Sequence, residues 1–166
     1  MTRTRPRALI GTVGVAVLAA ACSTSGAGTQ APAGNGGGIL SSVDPCALLT
    51  PAEIKTALGV DVKAAAPQTT DTQVECEWDS ADGTTGVSVS VAIYDDAVWQ
   101  ALSKASNAKP ISGFGDAAYT GVPHSGDIAI KKGSLEIDLG IVNFSLDQAK
   151  IDAADQSLAT LVLTRV

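Results

Sequence analysis

The sequence predicts an α+β fold: a two-layer domain with a mainly antiparallel sheet, helices on one face and one disulfide. Two observations point to the two layers. Val74–Asp79, Val87–Ile93 and Leu135–Ile141 alternate apolar and polar residues with period two. Three other segments carry helix-start signals followed by apolar stripes. Clean alternation marks a sheet with one face on the core, and helices laid on that face give two layers.

The elements follow in order. Thr50-Pro51-Ala52-Glu53 is a capping box with Pro at the first helical position. Ile54, Ala57 and Leu58 form a stripe and Gly59 stops it, which predicts a helix over 51–58. A short strand is expected near 60–65. In the next strand Val74, Cys76 and Trp78 share one face, and Glu75, Glu77 and Asp79 the other. Asp79–Gly83 is a turn by composition, and Val87, Val89, Val91 and Ile93 return antiparallel. Asp95 or Asp96 caps a second helix to about Ala105, with Val98, Ala101, Leu102 and Ala105 as its stripe.

Strands are expected again at Ala117–Thr120, Ile128–Lys132 and Leu135–Val142, with Gly133-Ser134 turning between the last two. Ser145-Leu146-Asp147-Gln148 reads as another capping box. It opens a C-terminal helix with Ile151, Ala154, Leu158 and Leu161 on one face. The order suggests two loosely similar halves, although no residue-level repeat joins them.

Composition narrows the function. At 166 residues the chain is long enough for one domain, and 45% hydrophobic content can fill its core. Only 4% is aromatic, so that core is mostly aliphatic. A net charge of −6 argues against nucleic acid, whose phosphates need a basic face. One His and three Cys are too few for a usual structural zinc site, and no cofactor is implied.

Residues 1–21 read as an export signal. Arg3, Arg5 and Arg7 precede Ala8–Ala21, an uncharged run of 14 residues. That run falls short of the ~20 apolar residues needed to span a bilayer. Leu18-Ala19-Ala20-Ala21-Cys22 resembles a bacterial lipobox, which makes Cys22 the expected lipidation site; an ordinary cleavage site after Ala21 is the alternative. Two acyl chains would suffice for stable anchoring. Without the three arginines the chain carries 8 basic against 17 acidic residues, a net −9, so it needs the lipid to stay at an anionic surface. Residues 22–42 then form the lipidated Cys and a flexible tether rich in Gly, Ser and Thr, and 43–166 a single globular domain. The expected location is the extracytoplasmic face of the cell membrane.

Cys46 and Cys76 remain, an even pair in an exported chain, and are expected to form a disulfide. No Cys-x-x-Cys supports a redox pair. Trp78 lies two residues from Cys76 on the same face and is expected to pack on the bridge.

Asp44-Pro45-Cys46-Ala47-Leu48-Leu49-Thr50, the Cys76-x-Trp78 step and Ile111-Ser112-Gly113-Phe114-Gly115-Asp116-Ala117-Ala118-Tyr119 together resemble a family of actinobacterial lipoproteins of unknown function. The resemblance covers most of 43–120. It implies an envelope lipoprotein and supplies no catalytic residues.

Candidate chemistry is sparse. Gly113-x-Gly115-x-x-Ala118 imitates a dinucleotide fingerprint but lacks a clear strand before it and a helix after it, and reads as a turn. His124, beside Ser125 in a Gly-rich loop, has no nucleophile elbow near it. Glu75, Glu77, Asp79 and Asp82 could approach a calcium loop, but a closing Glu is missing, so a solvated strand face is the better reading. Trp99, Tyr94, Phe114 and Tyr119 are the candidate ligand or partner surface.

The reading that follows is a membrane-anchored, non-enzymatic binding or accessory module. Its partner would be an envelope protein or a small apolar or cell-wall ligand. The alternatives are a lipid or glycolipid carrier with an acyl-chain cavity and, behind it, a hydrolase using His124. A Cys22→Ala variant of the full chain should leave the membrane fraction and lose palmitate labelling; retention in the membrane would refute the anchor.

Overall fold

Alternating side chains make both the sheet and its two unlike faces. The structure, a computed structural model, describes residues 36–166 except 65, 123, 125 and 126. These belong to one compact unit, Gly34–Val166. The expected export signal, Cys22 and most of the expected tether lie outside the described residues.

The strands are β1 (Val62–Ala64), β2 (Gln68–Thr69), β3 (Gln73–Ser80), β4 (Thr85–Ile93), β5 (Lys109–Ile111), β6 (Ala117–Thr120), β7 (Ile128–Lys132) and β8 (Leu135–Asn143). The helices are α1 (Gly36–Leu40), α2 (Pro51–Leu58), α3 (Asp96–Ser103) and α4 (Gln148–Leu163). All the strands join one sheet in the order β1-β3-β4-β8-β7-β6-β5, with β2 also paired to β3, and every pairing is antiparallel. The α+β class, the antiparallel sheet and the disulfide are as the sequence predicts.

The longest ladder is β4 against β8, from Thr85 opposite Asn143 to Ile93 opposite Leu135. It joins β1-β3-β4 to β8-β7-β6-β5, so each half of the chain contributes its last strand to the centre.

One face carries the core. Trp78, Val87, Val89, Ile130, Ile137 and Leu139 are buried there. Ile54 and Leu58 of α2 and Ile151, Leu158 and Val162 of α4 cover them. Leu40 is buried in the same cluster, so the chain is already folded ahead of Val43, the expected start. The Trp78 indole N–H is buried without an acceptor among the described residues. Leaving such a donor unpaired costs roughly 1–3 kcal/mol, which the buried ring area offsets.

Two helix details differ from expectation. Val98 and Ala101 are exposed, whereas Trp99 is only 8% exposed. The helix is rotated to bury its largest apolar ring, because an indole removes far more surface from water than a valine. Trp99 packs with Val122 and Ala129. Ala129 alternates with the core residues Ile128 and Ile130, so α3 covers one end of the opposite face. At the C-terminal helix the cap is Asp147, which accepts from the Lys150 N–H at 3.0 Å. Ser145 instead lies in a turn closed by Asn143, whose Oδ1 accepts from the N–H groups of Ser145 and Leu146 at 2.8 Å each.

The helical layer is fastened at both ends. Asp44 caps a 3₁₀ turn at Pro45–Ala47 by accepting from the Cys46 N–H at 3.0 Å. Cys46 is bonded to Cys76 of β3. Glu53 closes the α2 capping box and also takes the Arg165 guanidinium at 2.5 and 3.0 Å. Arg165 and the Thr50 N–H together hold the Glu53 carboxyl down at about 2. Lys132 donates to the carbonyls of Leu163 and Val166, pinning the end of α4 to β7.

The bridge spans 30 residues of sequence. A Cys46→Ser/Cys76→Ser double variant should therefore lose roughly 3–4 kcal/mol of stability in a urea titration, the chain-entropy value for a loop of that size. An unchanged midpoint would show that the bridge does not constrain the unfolded chain.

Candidate functional site

The face opposite the core is built by the polar half of each alternating strand. On β3 these positions are Gln73, Glu75, Glu77 and Asp79; on β4 they are Gly86, Ser88, Ser90 and Ala92. On β8 they are Glu136, Asp138, Gly140 and Val142. The register lays Glu75, Ser90 and Asp138 in one row, and Glu77, Ser88 and Gly140 in the next. Small residues on β4 between larger acids on β3 and β8 leave a groove.

Three adjoining cavities follow it. The first, about 440 Å³, lies over Gly86, Ser88 and Gly140, between Glu77 and Asp79 on one side and His124 and Asp127 on the other. The second, about 290 Å³, shares Ser88, Gly140, His124 and Asp127 with it and reaches Glu75 and Asp138. The third, about 460 Å³, shares Gln73 and Asp138 with the second and ends at Tyr94, Asp95 and Val98. From Gly86 to Ala92 the β4 floor runs about 20 Å at strand rise. Gly140 keeps the floor open, since a Cβ there would press on Asp127 Oδ1 and Ser88 Oγ at 3.0 and 3.1 Å.

The electrostatics are one-sided. No Lys or Arg is among the described residues lining the three cavities. The nearby Lys131 sits over the Tyr94 ring, 3.8 Å from its centroid. Asp138 is the extreme case: its Oδ1 is buried with no partner among the described residues. Burial, then Glu136 and Asp127, push its carboxyl up to about 7, while the neighbouring Ser90 hydroxyl pulls the other way. Burial and Glu77 raise Glu75, and burial and Asp95 raise Glu136. On α4, Asp155 is 1% exposed, with neither oxygen partnered among the described residues. Burial, then Asp127 and Asp152, raise it to about 9.

His124 is exposed at the groove's rim, and Asp127 Oδ2 lies 3.0 Å from both its Nδ1 and its backbone nitrogen. The ring has an orienting acid, but no nucleophile is hydrogen-bonded to it among the described residues.

The four candidate surface aromatics do not gather as a group. Trp99 lies 6.0 Å from Tyr94 and 5.4 Å from Tyr119, in a small cluster under α3. Phe114 packs against the main core instead. The Gly-x-Gly turn also has a structural cause. Gly115 has φ +56, and a Cβ there would collide with the Lys131 carbonyl. Asp116 then accepts from the Gly133 N–H at 2.7 Å, tying this turn to the β7–β8 hairpin. Asp82 is likewise occupied, holding Ser80 and Thr84 across the β3–β4 turn. No group of three or more His, Cys, Asp or Glu suited to a metal ion occurs among the described residues.

Asp138, Asp127, Glu136 and the Ser88–Ser90 floor are absent from the sequence-based candidates. The available signal was the alternation of acids on β3 with small residues on β4, which marks one face but says nothing of what stands beside it.

A family model described as a protein of unknown function, DUF3558, matches residues 17–131, and the chain belongs to that family. No curated protein and no solved structure matches the chain. No helix among the described residues is long and apolar enough to cross a membrane.

An Asp138→Asn variant tests the electrostatics. A folded-state carboxyl raised above its unfolded value stabilises the protein least when it must ionise. Parent stability should therefore fall as pH rises from about 4 through about 7. The variant should flatten that slope and exceed the parent at pH 8 by on the order of a few kcal/mol in urea titrations. Parallel pH profiles would show that Asp138 does not titrate there.

Proposed function

We propose that this chain is a lipid-anchored, extracytoplasmic binding module of an actinobacterial envelope, non-enzymatic, with the acidic groove as its seat. The observation that carries the reading is the groove itself. A sheet face that opens into cavities along its two central strands, walled by carboxylates and floored by Gly and Ser, spends stability on a surface that the core does not need. The arginines, the apolar run and Cys22 support export and anchoring. The residues from Cys22 to the first helix support a tether that lets the domain search for a partner while held near the bilayer.

The carrier reading has less support. The main core is filled by Trp78 and aliphatic side chains, and each of the three cavities has carboxylates among its lining, which an acyl chain would have to desolvate. The hydrolase reading retains the His124–Asp127 pair alone.

A photo-crosslinking residue tests the seat. It is placed at Val142, exposed at the first cavity, or at Thr56 on exposed α2 as a control, in the full anchored chain in its envelope. Val142 should yield a discrete adduct by mass and Thr56 none. Equal yields, or none from Val142, would remove the groove as the binding seat.

A further inference from the structure

The occupant of the groove can be read from its spacing and charge. Three observations bear on it independently. The groove is long: three cavities that share lining residues follow one another along β4 and β8. That shape fits a rod better than a compact solute. The carboxylates on its β3 wall recur at every second residue, Glu75, Glu77 and Asp79. At strand rise this is one acid per ~7 Å. Across the floor stand Asp127 and Asp138, and the buried Asp138 Oδ1 has no partner among the described residues.

We propose that the groove binds an extended segment of basic polypeptide, with lysine or arginine side chains at alternate positions seated among Glu75, Glu77, Asp79 and Asp138. This deepens the binding-module reading and rests on it. In an extended chain, alternate side chains point the same way and repeat at the same ~7 Å, so cations on one face meet the β3 acids in step. The opposite alternate positions face solvent and can be of any polarity. A helical ligand would space its cations at 5–6 Å in pairs along a stripe and lose that register. A compact amine would fill one cavity and leave the others empty. Charge complementarity also disfavours acidic partners, since no Lys or Arg is among the described residues lining the cavities.

The test uses the full anchored chain in nanodiscs of zwitterionic lipid, so that the membrane does not itself attract the probe. The probes are a fluorescent peptide alternating Lys with Ser, a block isomer of the same composition, and spermine as competitor. At physiological ionic strength the alternating peptide should bind about tenfold more tightly than the block isomer, and spermine should compete poorly. Glu77→Lys, an exposed substitution that leaves the core untouched, should weaken binding by about tenfold or more. Asp61→Asn, at the exposed pair with Lys55, should leave it unchanged.

Equal affinity for the two isomers, or efficient displacement by spermine, would overturn the extended-peptide reading and leave simple attraction of positive charge. Absence of peptide binding would overturn it as well. A discrete Val142 adduct with a non-basic partner would do the same while leaving the binding-module reading standing.

Discussion

The β4–β8 ladder is the constraint on which the rest depends. It pairs the last strand of the first half of the chain with the last strand of the second, across the middle of the sheet. Its register decides which residues face each way in both halves at once. A one-residue slip would turn Val87, Val89 and Val91 out of the core and bring Ser88 and Ser90 into it. The aliphatic face has a large free-energy reason to stay put, and the acidic face is held in place by it. The groove is thus positioned by the burial of its neighbours and needs no interaction of its own to be formed.

Much of this was legible in the sequence because the strongest signals are local. The capping box at Thr50–Glu53, the alternation on β3, β4 and β8, and the glycine turns at 83 and 133 all act within a few residues. The weaker elements were not. Strands β2 and β5 are two and three residues long and lie off the central ladder, too short for a period to show. The rotation of α3 follows from competition between two apolar stripes, and tertiary burial of Trp99 settled it. Asp147 displaced Ser145 as the cap because Asn143 had already taken the preceding N–H groups.

The site was less legible than the fold. Glu75, Glu77 and Asp79 were visible as one face of a strand, where a solvated surface is the ordinary explanation. What makes them a site is the company of Asp138 and Asp127, which come from sequence positions some fifty to sixty residues later and meet them only through strand pairing. The aromatics pointed elsewhere for a similar reason. Trp99, Tyr94 and Tyr119 are close in space, but they complete a small core under α3. The Asp-Pro-Cys step and the Gly-x-Gly-Asp turn also prove architectural: one sets a cap before the bridge, the other lets two backbones touch.

The Cys46–Cys76 bond has a mechanical consequence. A pull arriving along the backbone from the N-terminal side meets Cys46 soon after α1 and crosses the covalent bond to β3. Residues 47–75, with α2, β1 and β2, are thereby bypassed and carry little of the load. The force enters the sheet through β3 and is shared by its hydrogen bonds with β4, from Gln73 opposite Ala92 to Asp79 opposite Gly86. A domain wired in this way can be pulled from its N-terminal side without α2, β1 and β2 unravelling first.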